Sequence, residues 1–221
     1  LEVDLVEHNG GSSLGHFAYT LTVVDVVSGY SRRRAILGRS QFAVFQELKA
    51  ILAEWPFKPW GLHTDNGSEF LSDHLLRFCK ENGLVFTRSR PYRKNDNAHV
   101  EEKNRHYVRE IVGYERYDTP QDVAWLNEVY AYLDIYANLF LPMRKVIAKN
   151  RNGAHVHKTY DKARTPFQRL LEAGALDANT QAKFQRQLEA INPLALHRKL
   201  ETLLDRNPSS TPAILLEEQA L

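Results

Sequence analysis

The chain has 221 residues, 43% of them hydrophobic and 25% charged, enough for a real core in one domain plus an appendage. Its formal net charge is only +2, but residues 1–70 carry 6 basic and 8 acidic side chains against 23 and 19 in residues 71–221, so the positive excess lies late. The single cysteine, Cys79, excludes an intrachain disulfide and a cysteine-rich zinc site, and no apolar run reaches the roughly 20 residues that cross a bilayer. With no signal-peptide pattern, a cytoplasmic chain is expected; it opens on a strand without an initiator methionine, so a missing N-terminal piece is expected too.

Residues 1–8 alternate as a strand ended by Gly10 and Gly11, and the aromatic and β-branched run 16–28 predicts a second. Ser28-Gly29 turns the chain into a third strand, 30–38, which completes an antiparallel meander. Ser40 fits the N-cap of a helix over 41–55, with apolar residues at helical spacing. A short fourth strand, 59–64, leads to Asp65; a helix over 68–82 follows, stopped by Gly83, and Cys79 lies on its apolar stripe. Residues 84–90 read as a fifth strand and 91–96 as a polar loop, before helices over about 97–114 and 120–140, the second opened by Thr119-Pro120. A meander feeding βαβ units predicts an α/β fold with a mixed five-stranded sheet and helices on both faces.

Beyond about Leu141 the composition turns basic. Two strand-like arms around Asn152-Gly153 predict a hairpin over 144–164, followed by short helices at 166–174, 180–191 and 193–207 and a loosely ordered end. The expected division is 1–142 for the core and 143–221 for a basic extension.

Asp4 sits in the middle of the first strand, where a carboxylate is costly unless something pairs with it. Asp65 ends the fourth strand, where open α/β sheets place ligand sites. Glu101 and Glu102 lie near the start of the third helix. Carboxylates that converge from these three places repel one another and imply a divalent cation, with Mg²⁺ or Mn²⁺ suited to an all-oxygen set. On a helix whose inward stripe is Val100, Asn104, Tyr107, Val108 and Ile111, Glu101 lies about 60° from the stripe's centre and Glu102 about 160°. Glu101 is therefore the better ligand.

"HTDNGSEF" (63–70) resembles the second-aspartate motif of retroviral integrases and bacterial insertion-sequence transposases, the DDE recombinases, and "SRPYRKNDNAHVEEKNR" (89–105) resembles the glutamate motif of the transposases. "LEVDLVEH" and "VVDVVSGY" resemble the first- and second-strand motifs, and the 35 residues between Asp65 and Glu101 match the family spacing. The resemblance covers about residues 1–140. It implies a ribonuclease H-like fold, catalytic and metal-binding roles for Asp4, Asp65 and Glu101, two Mg²⁺ or Mn²⁺ ions when DNA is bound, and strand cleavage followed by strand transfer. It further implies transposon ends and target DNA as partners, a homo-oligomer, and work at the bacterial nucleoid, with no small-molecule substrate.

Rival readings attach to several residues. Asp25, before Ser28-Gly29, competes with Asp4 as first aspartate but fits a turn-supporting role. Asp96 reads as a cap or loop residue, Glu69 as a favourable first-turn charge and His63 as a strand histidine, while His155 and His157 share a strand face without companion cysteines. Asn66 and Gly67 read as architectural, Gly67 for a positive φ. Arg90, Arg93, Lys94, Lys103, Arg105 and Arg109 surround Glu101 in sequence and are candidate phosphate contacts, with Tyr92 a candidate base-stacking residue; the bland alternative is a solvated face. A nuclease that only hydrolyses, or a DNA-binding protein with idle chemistry, stays open.

Overall fold

The structure, a computed structural model, describes residues 1–90, 94–153 and 155–210, with the side chains of 94, 95 and 210 left aside. Strands β1 (Glu2–His8), β2 (Ala18–Val24) and β3 (Ser31–Leu37) form the antiparallel meander. Helix α1 (Gln41–Ala53) follows, its N-cap Ser40 accepting from Ala43 N. Strand β4 (Gly61–Thr64) runs parallel to β1, and β5 (Val85–Arg88) runs parallel to β4. The sheet order is β3-β2-β1-β4-β5, the mixed five-stranded sheet expected from the element order.

Between β4 and β5 the expected single helix is two pieces. A 3-10 turn at Ser68–Phe70 breaks at Leu71, and α2 (Asp73–Glu81) restarts with Ser72 as N-cap, its hydroxyl accepting from Leu75 N. Ser72 offers a better cap than continued helix, as short hydroxyl side chains do. The next helix is also interrupted: α3 (Ala98–Asn104) runs into a π-helical turn at Arg105–Arg109 before α4 (Glu110–Val112). Beyond that wide turn Val112 is buried and Ile111 packs, partly buried, against the same cluster.

Helix α5 (Pro120–Leu139) begins with a capping box between Thr119 and Asp122. It lies along the outer edge of β3 and satisfies that strand's free backbone groups. Asn127 bonds the N–H and C=O of Ala35, Asp134 accepts from Arg33 N, and Asn138 bonds the N–H and C=O of Ser31. Strands β6 (Val146–Asn152) and β7 (His155–Tyr160) pair antiparallel outside the main sheet. Helices α6 (Pro166–Glu172), α7 (Ala178–Ala190) and α8 (Pro193–Leu204) complete the described chain.

The pleat of β1 divides the interior. Val3 and Leu5 point to an apolar cluster with α1, α2 and Leu170 of α6; Val6 belongs to the cluster on the other face with α4, α5 and α8. Glu2, Asp4 and His8 share Val6's side, which is the side of α3.

Candidate active site

β1 and β4 set the first two carboxylates. Their parallel register pairs Val3 with Thr64, which brings Asp4 and Asp65, one residue further on, side by side at the point where β4 ends. Asp4 is largely buried, and burial first, then the Asp65 carboxylate, push its carboxyl up to about 6; Glu101 adds a smaller push, while the Leu5 backbone and Asn104 pull the other way. Asp65 Oδ1 accepts from Gly67 N at 2.9 Å, which fixes its carboxylate over the turn.

Gly67 is not required for a positive φ: its φ is −58° and ψ 136°. It is required for space. A Cβ there would lie 2.6 Å from Glu69 Oε1 and 3.0 Å from Asp65 Oδ1. Asn66 Nδ2 donates to Ser89 O at 2.8 Å and so ties the end of β4 to the end of β5. Glu69 lies in the first turn of the 3-10 segment, as expected, and is buried there with its carboxylate beside the same glycine, a second acidic group close to Asp65.

Two carboxylates of β1 grip α3. Glu2, 6% exposed, accepts from Val100 N at 2.9 Å through Oε2, which caps a helix whose own N-cap, Asn97, makes no side-chain cap bond. One turn later Asn104 Nδ2 donates to Asp4 Oδ2 at 2.8 Å. Between these anchors Glu101 projects from the exposed flank of α3, without a hydrogen-bond partner among the described residues. A cleft of about 380 Å³ is lined by Asp4, Glu101, Asn104, Arg105, Arg109 and Tyr114, among others. Glu102 and Asp65 do not line it. Asp4 is thus the shared member, next to Asp65 on one side and facing Glu101 across the cleft on the other. Among the described residues no three His, Cys, Asp or Glu side chains are drawn together closely enough to enclose a cation.

The basic candidates separate by position. Arg105 and Arg109 border the cleft; Arg105 Nε meets Glu110 Oε1 at 3.3 Å, and the Arg109 guanidinium lies 4.8 Å from the Tyr114 ring centre. Arg90 is committed to Asp96 through Nε and Nη2 at 2.9 and 2.7 Å. Lys103 turns inward: it is 6% exposed, its Nζ lies 4.6 Å from the Tyr107 ring centre and 3.7 Å from Met143 Sδ, and burial pushes it down to about 8, with Arg33 and Lys145 adding to the fall. Tyr92 and Arg93, with the side chain of Lys94, lie outside the described residues.

Asp25, the rival first aspartate, closes the β2–β3 turn. Its Oδ2 accepts from Ser28 N at 2.7 Å and from Ser28 Oγ at 2.5 Å, and Gly29 completes the turn with φ 77°. His63 bonds Thr87 Oγ1 at 2.8 Å, as a strand histidine does.

Residues 1–94 match the family model described as "Integrase core domain". The chain is 38% identical over 169 residues to "Uncharacterized protein y4rM" of Sinorhizobium fredii (strain NBRC 101917 / NGR234), an alignment that covers 76% of this chain and 48% of that protein. The chain therefore spans about half the length of that relative. Among solved structures it aligns with the catalytic core domain of BIV integrase at 16% identity and a TM-score of 0.49, over 78% of this chain and 93% of that one. It also aligns with a chain of the simian T-cell lymphotropic virus intasome in complex with PP2A regulatory subunit B56 gamma, at 20% identity and a TM-score of 0.42, over 50% and 37%.

Proposed function

We propose that this chain, whose residues 1–94 match the integrase core domain model, belongs to the DDE transposase and integrase superfamily and is the catalytic part of a transposase that cuts and joins DNA strands by phosphoryl transfer. The observation that carries the reading is the pair Asp4 and Asp65, adjacent on parallel strands, with the Asp4 carboxyl raised to about 6 and Glu101 across the cleft. A carboxyl raised by burial first and by the neighbouring Asp65 carboxylate second is a group for which a divalent cation can substitute for the proton. The donor set is all oxygen and suits Mg²⁺ or Mn²⁺. Asp4, Asp65 and Glu101 would hold the metal, Glu101 from an exposed flank where no other partner holds its carboxylate. Such ions, when bound, activate a nucleophilic oxygen and neutralise charge on the leaving oxygen.

The chain's own groups do the positioning. Asn104 orients Asp4, the Gly67 amide orients Asp65, and Glu2 fixes the start of the helix that presents Glu101. Arg105 and Arg109, at the rim of the cleft, bind the phosphates that flank the scissile bond. The protein works on DNA ends and target DNA as a homo-oligomer.

The test is an assay on labelled duplex oligonucleotides with Mg²⁺ or Mn²⁺. The wild type is expected to nick the duplex and to join a free 3′-hydroxyl end to a second duplex, and Asp65→Asn to lose at least a hundredfold of both. Nicking without joining would replace the reading by a purely hydrolytic nuclease. Metal-independent activity, or activity retained in Asp65→Asn, would end it.

A further inference from the structure

The paired strands β6 and β7 have no core of their own. Every described residue of both strands is exposed on both faces, and an isolated two-stranded ribbon is marginal in water. Residues 144–160 hold Arg144, Lys145, Lys149, Arg151 and Lys158 and not one aspartate or glutamate. The register sets Lys149 directly opposite Lys158, with Arg151 two residues along on the same face, beside Val156. Like charges opposite each other weaken a strand pair, and none of these three cations has an acidic partner among the described residues. The other face carries Asn150 opposite His157 and Asn152 opposite His155. Amide and imidazole groups of this kind hydrogen-bond base edges.

The root of this arm is fixed. Met143 and Arg164 exchange backbone hydrogen bonds of 2.9 and 3.1 Å, Arg169 Nη1 meets Asp161 Oδ2 at 2.6 Å, and Lys145 Nζ donates to the carbonyls of Val26 and Val27 in the β2–β3 turn. Met143 Sδ also packs against the buried Lys103 of α3, two residues beyond Glu101. The ribbon therefore stands out from a base that is locked to the helix of the candidate active site.

We propose that the β6–β7 ribbon is a DNA-binding arm, seated against a duplex with the Lys149, Arg151 and Lys158 face toward phosphates. A seven-residue strand spans about 23 Å, and the major groove of B-DNA, about 12 Å wide, admits a two-stranded ribbon. A polyanion relieves the Lys149–Lys158 repulsion, whereas a second copy of the arm in a two-fold contact would set lysine against lysine. The proposal deepens the strand-transfer reading, from which it takes DNA as the partner.

The test is fluorescence anisotropy with a labelled duplex of about 30 base pairs, titrated by the full chain in EDTA at several salt concentrations, with sedimentation velocity on the same samples. EDTA removes metal-dependent cleavage, and the carboxylates are the same in wild type and arm variant, so the comparison is independent of whether the protein cleaves. The triple variant Lys149→Ala, Arg151→Ala, Lys158→Ala is expected to bind at least tenfold more weakly near 0.1 M salt. Its log–log salt slope is expected to be shallower by about 2.7, three phosphate contacts at about 0.9 each. The charge-keeping variant Lys149→Arg, Lys158→Arg is expected to bind like wild type. Unchanged affinity and slope in the triple variant would overturn the proposal, and so would a loss of self-association with DNA binding intact. A cleaving protein whose arm variant binds normally would sink the arm alone; normal arm-dependent binding without cleavage would sink only the catalytic reading.

Discussion

His8 is fully buried, its Nε2 2.7 Å from Thr20 Oγ1, which lies 2.7 Å from Tyr130 OH, and its Nδ1 has no partner. Burial first and the nearby Arg109 charge second push its pKa down to about 3. An imidazole that is neutral when folded and titrates near 6.5 when unfolded binds its proton only in the unfolded state between those values. Its contribution to stability is therefore complete above about 6.5 and shrinks as the pH falls toward 3. Between pH 7 and pH 5 the loss is about 2 kcal/mol from this group. Urea unfolding of wild type and His8→Gln at the two pH values checks it: the variant is expected to lose about 2 kcal/mol less than wild type, and equal losses would contradict the assignment. At this scale the nearness of Asp4 and Asp65 was legible, because a parallel β4 beside β1 sets the two strands in one register. The candidate site was illegible where packing decides. Lys103 reads as surface charge until Tyr107, Arg33 and Met143 enclose it, and Gly67 reads as a conformational glycine until the Glu69 carboxylate is seen beside it.

Helix α5 shields the edge of β3 with side chains that imitate a neighbouring strand. Asn127, Asp134 and Asn138 meet Ala35, Arg33 and Ser31, which step by two along the strand as its outward backbone groups do. The Arg33 guanidinium also pairs with Asp134 inside this interface. Asn138, 2% exposed, holds both Ser31 N–H and C=O, so Asn138→Ala leaves two buried backbone groups unpaired. Such a loss costs about 1–3 kcal/mol. Denaturant unfolding is expected to show that fall with an unchanged m-value; a change below 0.5 kcal/mol (the range of ordinary surface substitutions) would mean that water replaces the amide freely. Alternation, caps and turns made the strands and α1 readable, and Thr119-Pro120 fixed the start of α5. The π-helical turn after Asn104 was not readable, because nothing in "RHYVR" departs from helical composition and the extra residue is set by which side chains the sheet accepts. The same holds for the break at Leu71, where Ser72 competes as a cap within an apolar pattern that would equally support one helix.

Over the whole molecule, the helices beyond the arm share the core of the sheet. Leu196, Leu200 and Leu203 of α8 are buried in the cluster of Val6, Val108 and Leu126, and Trp125 Nε1 donates to Leu203 O at 2.9 Å. Leu200→Ala is expected to cost about 2–5 kcal/mol and to shift one cooperative transition, seen alike by far-ultraviolet circular dichroism and tryptophan fluorescence. A sheet transition that stays put while a separate, weaker one moves would show α8 to be an independent unit. The basic composition beyond about Leu141 separated these helices from the core, because a change of composition marks the basic arm and says nothing of where the chain returns. No described helix is long and apolar enough to cross a membrane. The central claim is the proposal that Asp4, Asp65 and Glu101 share a divalent ion. Its most direct measurement is anomalous diffraction from crystals soaked in Mn²⁺, for wild type and Asp65→Asn. The account expects a peak between Asp4, Asp65 and Glu101 in the wild type, lost or displaced in the variant. A well-ordered Glu101 turned away from Asp65, with no peak between the three, would contradict it.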